Sequence, residues 1–292
     1  MEAQTHRTES VSSEPNSRPH HRGLVRLVGV AAKRVAPILS SVVRLWPDGA
    51  AYAAMYTEVL LGKGAGAGWD LQSETDVALR FLRSKRPTVF DLGAHQGSWS
   101  RAIVEARPEA RLIQFEPNPE NIAILEEAQL PNVEVVATAV SDRKGVTSFY
   151  ASSTSDLGSL HRRRESIFQD RTYKAISINT VTLDDILSER CIERVDFVKM
   201  DIEGHELQAL AGAEKSLASG RIRTLSFEFG SGNINSRTFF HDFWDLLTPL
   251  GFRIYRVCPG GWLLPITAYY EDLEYFRNVT NYVATLEPLP DG

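Results

Sequence analysis

Short apolar runs alternating with stretches of helical spacing constrain this chain more than any other feature of it. The runs are residues 88–92, 111–115, 133–139, 195–200 and 224–229, and helical stretches at about 98–107, 118–129, 204–219 and 236–250 separate most of them. That alternation is the signature of a parallel sheet covered by helices. Between the third and fourth runs, residues 146–150 and 176–182 alternate apolar with polar, the pattern of an inserted antiparallel pair. Residues 252–257 and 282–286 read as a terminal antiparallel pair at the sheet edge. The expected fold is α/β: a doubly wound, mostly parallel sheet with an antiparallel edge strand and a small inserted β-pair.

A chain of 292 residues, 43% apolar, can bury one sizeable core, and we expect one large domain over residues 70–292. Residues 1–23 are rich in Ser, Glu, Arg, His and Pro and are expected to form a disordered tail. Residues 24–69 read as a helical extension ending in a glycine-rich link. On a helix Arg22, Arg26, Lys33 and Arg44 fall within about 40° of one another. This basic stripe allows weak peripheral contact with an anionic membrane, or it is the outer face of a packed helix. Lys33, Arg34 and Pro37 exclude a membrane span there. A net charge of −5 and a pI near 5.9 argue against a partner that is nucleic acid. With only Cys191 and Cys258, far apart, there is no disulfide framework and no C-x-x-C metal spacing. The expectation is cytoplasmic residence; the oligomeric state is not legible.

The first run passes into D-L-G-A-H-Q-G (residues 91–97) and then a helix. Gly93 and Gly97 let the backbone turn sharply and approach a ligand at a helix start. The second run ends in Glu116, 19 residues after Gly97, where an acid accepts both hydroxyls of a ribose. The dinucleotide fingerprint puts three glycines under a pyrophosphate; here there are two, and Asp91 would repel a pyrophosphate while suiting an ammonium. S-adenosylmethionine carries an ammonium and a sulfonium. The rivals are a nicotinamide-dependent oxidoreductase on a Rossmann sheet and a non-catalytic nucleoside- or glycan-binding module.

The chain at this point resembles the FkbM-type methyltransferases. The resemblance rests on F-D-L-G-A-H-Q-G (90–97), F-E-P-N-P (115–119), A-V-S-D (139–142) and K-M-D-I-E-G-H-E (199–206) followed by L-A-G-A (210–213). It covers roughly residues 75–286, and nothing in the first 70 residues has a counterpart. It implies a class I, Rossmann-like fold that uses S-adenosylmethionine to O-methylate hydroxyls of sugars, glycans or secondary metabolites. It also implies that the third strand ends at the level of the adenine ring. Val140 would touch the ring, and Ser141 or Asp142 would take its exocyclic amine; a plain Asx-type turn is the alternative for Asp142.

The fourth run delivers Asp201 to the carboxyl edge beside the first, where open α/β sheets bind ligands. If Gly204 opens the next helix, Glu203 and His205 lie in its first turn, facing the donor methyl. His205 suits a general base at neutral pH; Glu203 would orient His205 or the acceptor, or be the base itself. Glu206 reads as an acid favoured by the helix dipole. Asp201, Glu203, His205 and Glu228 could also be read as ligands for a metal, although none is expected. Glu228, ending the fifth run, would bind acceptor hydroxyls or simply close a strand. The N/D-P-P-Y/F motif of amine-directed enzymes is missing after the fourth run, which favours oxygen as the acceptor atom. Residues 154–165, with Arg162, Arg163 and Arg164, are the expected acceptor-recognition segment or a solvated basic turn. Trp99, Trp244 and Trp262 would stack on sugars or serve the core.

Overall fold

Apolar side chains on both faces of a run leave a strand no solvent side, and the chain solves this by covering both. The computed structural model describes residues 35–37, 40–41, 43–64, 71–152, 158–161 and 173–289. Helices α1 (Pro47–Leu60) and α2 (Leu71–Phe81) precede β1 (Thr88–Leu92), α3 (Ser98–Ala106), β2 (Arg111–Phe115), α4 (Pro119–Ala128) and β3 (Val133–Val136). Then come β4 (Ala139–Val140), β5 (Gly145–Ser152), β6 (Tyr173–Val181) and α5 (Leu183–Glu189). The second half runs β7 (Phe197–Met200), α6 (Glu206–Ala211), α7 (Glu214–Ala218), β8 (Thr224–Gly230), α8 (Ser231–Ser236) and α9 (Phe240–Leu247). It closes with β9 (Arg253–Val257), β10 (Leu263–Ile266) and β11 (Val279–Thr285).

The main sheet has the order β10-β9-β11-β8-β7-β1-β2-β3. From β8 to β3 every pairing is parallel, and β11 and β10 run antiparallel to their neighbours. The order reverses at β1, which lies between β2 and β7, so the carboxyl ends of β1 and β7 open into one crevice. Alternate residues of each central strand feed opposite cores. Phe90, Leu92, Val198 and Met200 join Phe227, Phe229 and Phe243 on one face, and Val89 and Phe197 join Val77, Phe81, Trp99 and Ile103 on the other. The rings of Phe227 and Phe243 are stacked 4.7 Å apart and fully buried, so truncating either would cost about 3–5 kcal/mol.

Several boundaries differ from the sequence expectation for local reasons. The third run does not continue to residue 139: Thr138 folds back, donating its amide to Val136 and its hydroxyl to the Asn179 carbonyl. Ala139 and Val140 then pair with β6, so the inserted pair becomes a three-stranded sheet, β4-β6-β5. Val195 makes only an isolated bridge to Ile222. The helical stretch 204–219 breaks at Gly212, where a Cβ would fall 2.0 Å from the Ser141 carbonyl oxygen. The stretch 236–250 starts at Phe240, because Arg237 takes a left-handed φ of 58° and ends α8. Strand β10, which escaped the sequence reading, contains Pro265 and sits on the sheet edge, where a missing N–H is tolerated.

The chain divides into two compact units, Met1–Met55 and Tyr56–Gly292. In the first, Arg44 is helical and exposed; the tail expected at 1–23, and Arg22, Arg26 and Lys33 of the basic stripe, lie outside the described residues. Among the described residues no helix is long and apolar enough to cross a membrane. The site described below belongs wholly to the second unit.

Candidate functional site

Strand β1 carries Asp91 to the carboxyl end of the sheet on the face covered by α3, in register with Lys199 of β7. Its Oδ2 accepts the Ser100 hydroxyl at 2.5 Å, while Oδ1 is buried with no partner among the described residues. Burial pushes the carboxyl up, against the pull of Lys199 and Ser100. The chain then turns, with the amides of Gly93 and Ala94 both donating to the Phe115 carbonyl. Gly93 has φ 81°, and a Cβ there would lie 2.0 Å from the Asp201 carbonyl oxygen. Only glycine meets both conditions. Gly97, with φ 80°, caps α3 against Leu125, 2.8 Å from where its Cβ would be.

Glu116 follows β2 and is 4% exposed. Its Oε2 accepts the His95 amide at 2.8 Å and its Oε1 the Asn118 amide at 2.9 Å, which fixes the carboxylate beside the glycine turn. The Asn121 side chain donates to it as well, and the carboxylate keeps lone-pair capacity for an incoming hydroxyl. Burial outweighs those N–H groups and raises the carboxyl to about 7.

On the other side of the crevice, the Asp201 amide donates to the Leu92 carbonyl, extending the β1–β7 ladder. Lys199 Nζ lies 2.9 Å from Asp201 Oδ2 and 6.0 Å above the Trp99 ring. Burial opposes the ammonium, but Asp201, Asp91 and Glu74 together raise it well above its ordinary value. Helix α6 opens at Glu206 rather than at Gly204, because Glu203 and Gly204 take left-handed φ values of 57° and 94°. Glu203 and His205 therefore lie in a tight loop before the helix, the acid loop. A Cβ on Gly204 would fall 2.5 Å from the Gly232 carbonyl, so this loop rests directly on the start of α8. Glu206 is fully buried, and its Oε1 accepts the amides of Ile202 at 3.1 Å and Gly204 at 3.2 Å. It ties the loop to the helix, a more specific task than meeting the helix dipole.

His205 turns away from a helical first turn and is held at both ring nitrogens. Nε2 lies 2.9 Å from Ser141 Oγ, and Nδ1 lies 3.0 Å from His161 Nε2. Burial, then the neighbouring His161, lowers its pKa to about 4, so the ring is neutral at pH 7. Ser141 also donates to Asp142 Oδ1 at 3.0 Å, and the Asp142 carboxylate pairs with Arg143. Burial works against ionised Asp142, but Arg143 and Ser141 outweigh it and lower the pKa.

The structure thus gathers Asp91, Gly93, Gly97, Glu116 and Asp201 around one crevice and links Ser141 and Asp142 to His205. It adds residues to which the sequence reading gave no role. Lys199 lay in plain view within K-M-D-I-E-G-H-E. Glu74 of α2 accepts from Asn281 Nδ2 at 2.7 Å, and both line a small cavity with Lys199, Ser226 and Glu228. Burial, then Asp201, Glu203 and Glu74, pushes the Glu228 carboxyl up. Ser159 and His161 come from the expected recognition segment: Ser159 Oγ donates to the Glu203 carbonyl at 2.9 Å and accepts the His161 amide at 3.0 Å. Arg162, Arg163 and Arg164 lie outside the described residues. Trp99 is core, stacked on Phe197, and Trp244 packs against the core, whereas Trp262 is exposed. Among the described residues no group of three or more His, Cys, Asp or Glu is placed to hold a metal ion.

Compared with known proteins, residues 91–254 match the methyltransferase FkbM domain. The chain is 31% identical over 153 residues to the 2-O-methyltransferase NoeI of Sinorhizobium fredii, covering 48% of this chain and 63% of that protein. It is 26% identical over 157 residues to the hexuronic acid methyltransferase AglP of Haloferax volcanii, covering 51% and 60% respectively. It therefore spans less than two thirds of the length of either relative. Among solved structures, a precorrin-6y C5,15-methyltransferase from Geobacter metallireducens aligns at 13% identity with a TM-score of 0.40, over 75% of this chain and 92% of that one.

Proposed function

Because the chain belongs to the FkbM methyltransferase family, matched from Asp91 to Ile254, we propose that it uses S-adenosylmethionine to O-methylate a saccharide hydroxyl. The observation that carries this reading is Glu116, a buried carboxylate pinned by two backbone amides beside a turn that admits only glycine. The residues fit the donor: Glu116 keeps lone-pair capacity for a ribose hydroxyl beside its amide and Asn121 donors, and Asp91 has a buried oxygen without a described partner for a cationic group. Bound there, the donor supplies an electrophilic methyl on a sulfonium.

The chain's own residues bind and orient. Gly93 and Gly97 bring the backbone close to the donor, Ser141 and Asp142 face its base, and Asp201, steadied by Lys199, stands where the two ligands meet. Glu203 and His205 lie on the acceptor side, under the inserted sheet. The acceptor class follows from the relatives, one named for 2-O-methylation and one for a hexuronic acid. These tasks fall to a domain of residues 70–292 in the cytoplasm, with at most peripheral membrane contact through Arg22, Arg26, Lys33 and Arg44. Loss of anionic-vesicle co-sedimentation on deleting residues 1–46 would support that contact.

Calorimetry with S-adenosylhomocysteine and with NAD tests the donor. Binding of the first alone is expected; binding of NAD alone would return the chain to the oxidoreductases. Labelled donor incubated with neutral and uronic-acid oligosaccharides then tests the acceptor, with label expected on a hydroxyl oxygen.

A further inference from the structure

The hydrogen bonds around His205 have a direction that follows from counting protons. Asp142 is a carboxylate and only accepts, so the 3.0 Å contact from Ser141 Oγ uses the serine's single O–H. Ser141 must then accept from His205 Nε2 at 2.9 Å, which places the proton of the neutral imidazole on Nε2. Nδ1 of His205 is consequently an acceptor, and His161 Nε2, 3.0 Å away, is its donor. A neutral His161 that carries its proton on Nε2 bears its lone pair on Nδ1. No described residue bonds that nitrogen, and the ring is partly exposed.

We propose that His161, rather than His205, takes the proton of the acceptor hydroxyl, and that His205 is a positioning residue in the directed chain His161–His205–Ser141–Asp142. The inference rests on the methyltransferase reading above and deepens it. His205 cannot serve as the base, since its one lone pair is already occupied by His161. His161 is held for the task twice, its amide by Ser159 Oγ and its ring by His205, while Ser159 fastens the segment to the Glu203 carbonyl. The same segment pairs with β5 through Tyr150 and Ser159, so the inserted sheet delivers the base to the acid loop. In the reaction, the acceptor's O–H bond breaks with its proton going to His161 Nδ1. The freed oxygen pair forms the bond to the methyl carbon, and the carbon–sulfur pair stays on sulfur. His161 then carries a positive charge, and its Nε2–H bond to His205 becomes charge-assisted, in line with the Asp142 carboxylate at the far end of the chain.

The test uses the full chain. Nitrogen-15 spectra of its histidines at neutral pH should show His161 and His205 both as neutral Nε2–H tautomers. A protonated His205, or one with its proton on Nδ1, overturns the proposal whatever the variants do. With uronic-acid and neutral oligosaccharides as acceptors, His161→Ala and His161→Gln should lose turnover by about 10²–10⁴ with S-adenosylhomocysteine binding retained. Added imidazole should restore activity to His161→Ala, which a merely structural histidine would not permit. Full turnover in both variants overturns the proposal. Failure of the wild type to bind S-adenosylhomocysteine removes the donor reading and with it the catalytic role; a wrong tautomer in a chain that binds it removes this proposal and leaves the donor reading standing.

Discussion

Glu206→Gln puts the construction of the acid loop to a quantitative test. Glu206 is fully buried, with Oε1 on the amides of Ile202 and Gly204 and Oε2 without a partner among the described residues. Burial outweighs those N–H groups and lifts its carboxyl from 4.5 to about 8. The folded chain thus keeps a proton that the unfolded chain releases, so this group lowers stability as pH rises from about 4.5 to about 8, with no further change above. At about 1.4 kcal/mol per pKa unit, the ceiling on that loss is about 5 kcal/mol. A glutamine keeps the carbonyl acceptor and cannot ionise, though its buried amide hydrogens cost about 1–3 kcal/mol at every pH. Urea unfolding at about pH 5 and about pH 8 separates the two effects. The variant should be the less stable protein at the lower pH and should gain several kcal/mol relative to wild type by the higher one. Glu116, also raised, is present in both proteins and cancels in the difference. Parallel stability profiles would refute the reasoning, since Glu206 would then ionise in the fold without penalty.

Three further variants test residues around the crevice. Glu116→Ala should weaken S-adenosylhomocysteine binding about ten- to a hundredfold, the loss of a charge-assisted hydrogen bond of about 1.5–3 kcal/mol. Wild-type affinity by calorimetry should rise as pH passes through about 7, where this carboxyl ionises, and the variant should lack that rise. Gly93→Ala combines a left-handed penalty of about 1–2 kcal/mol with a Cβ 2.0 Å from the Asp201 carbonyl oxygen, so calorimetry should detect no donor binding to a chain whose circular dichroism is still native. Lys199→Met leaves Asp91 and Asp201 without their ammonium and should lower unfolding free energy by about 3–5 kcal/mol; a change under about 1 kcal/mol in urea would show that those carboxylates do not depend on it.

How much of this was legible depended on how local each signal was. The sequence carries β1 and β2 to the residue, because Thr88–Leu92 and Arg111–Phe115 are apolar runs bounded by turn residues. Gly93, Gly97 and Glu116 were readable because a glycine turn and a strand-end acid are demanded by backbone geometry close by. The break at Thr138 was not, since it depends on the Asn179 carbonyl 41 residues away. Helix α2 and Glu74 were missed for a related reason: the partner of Glu74 is Asn281, from the far end of the chain. The role expected of His205 rests on chemistry that suits a base; what sequence could not supply was its two partners, Ser141 and His161, one at each ring nitrogen.

The loops of the crevice are joined by backbone contact as well as by side chains, which explains why glycines recur in them. Gly93 rests on the Asp201 carbonyl, Gly204 on the Gly232 carbonyl, and Gly212 on the Ser141 carbonyl, each at a distance where a Cβ would overlap its neighbour. The donor turn after β1 thereby touches the end of β7, the acid loop touches α8, and the break between α6 and α7 touches the end of β4. Backbone packed on backbone has no rotamers through which to yield, so one loop cannot shift without displacing the next. Ser159 adds a hydrogen bond from the inserted sheet to the same acid loop. The position of His161 is therefore set through Ser159 by the loop whose first residue, Asp201, also packs on the glycine turn after β1.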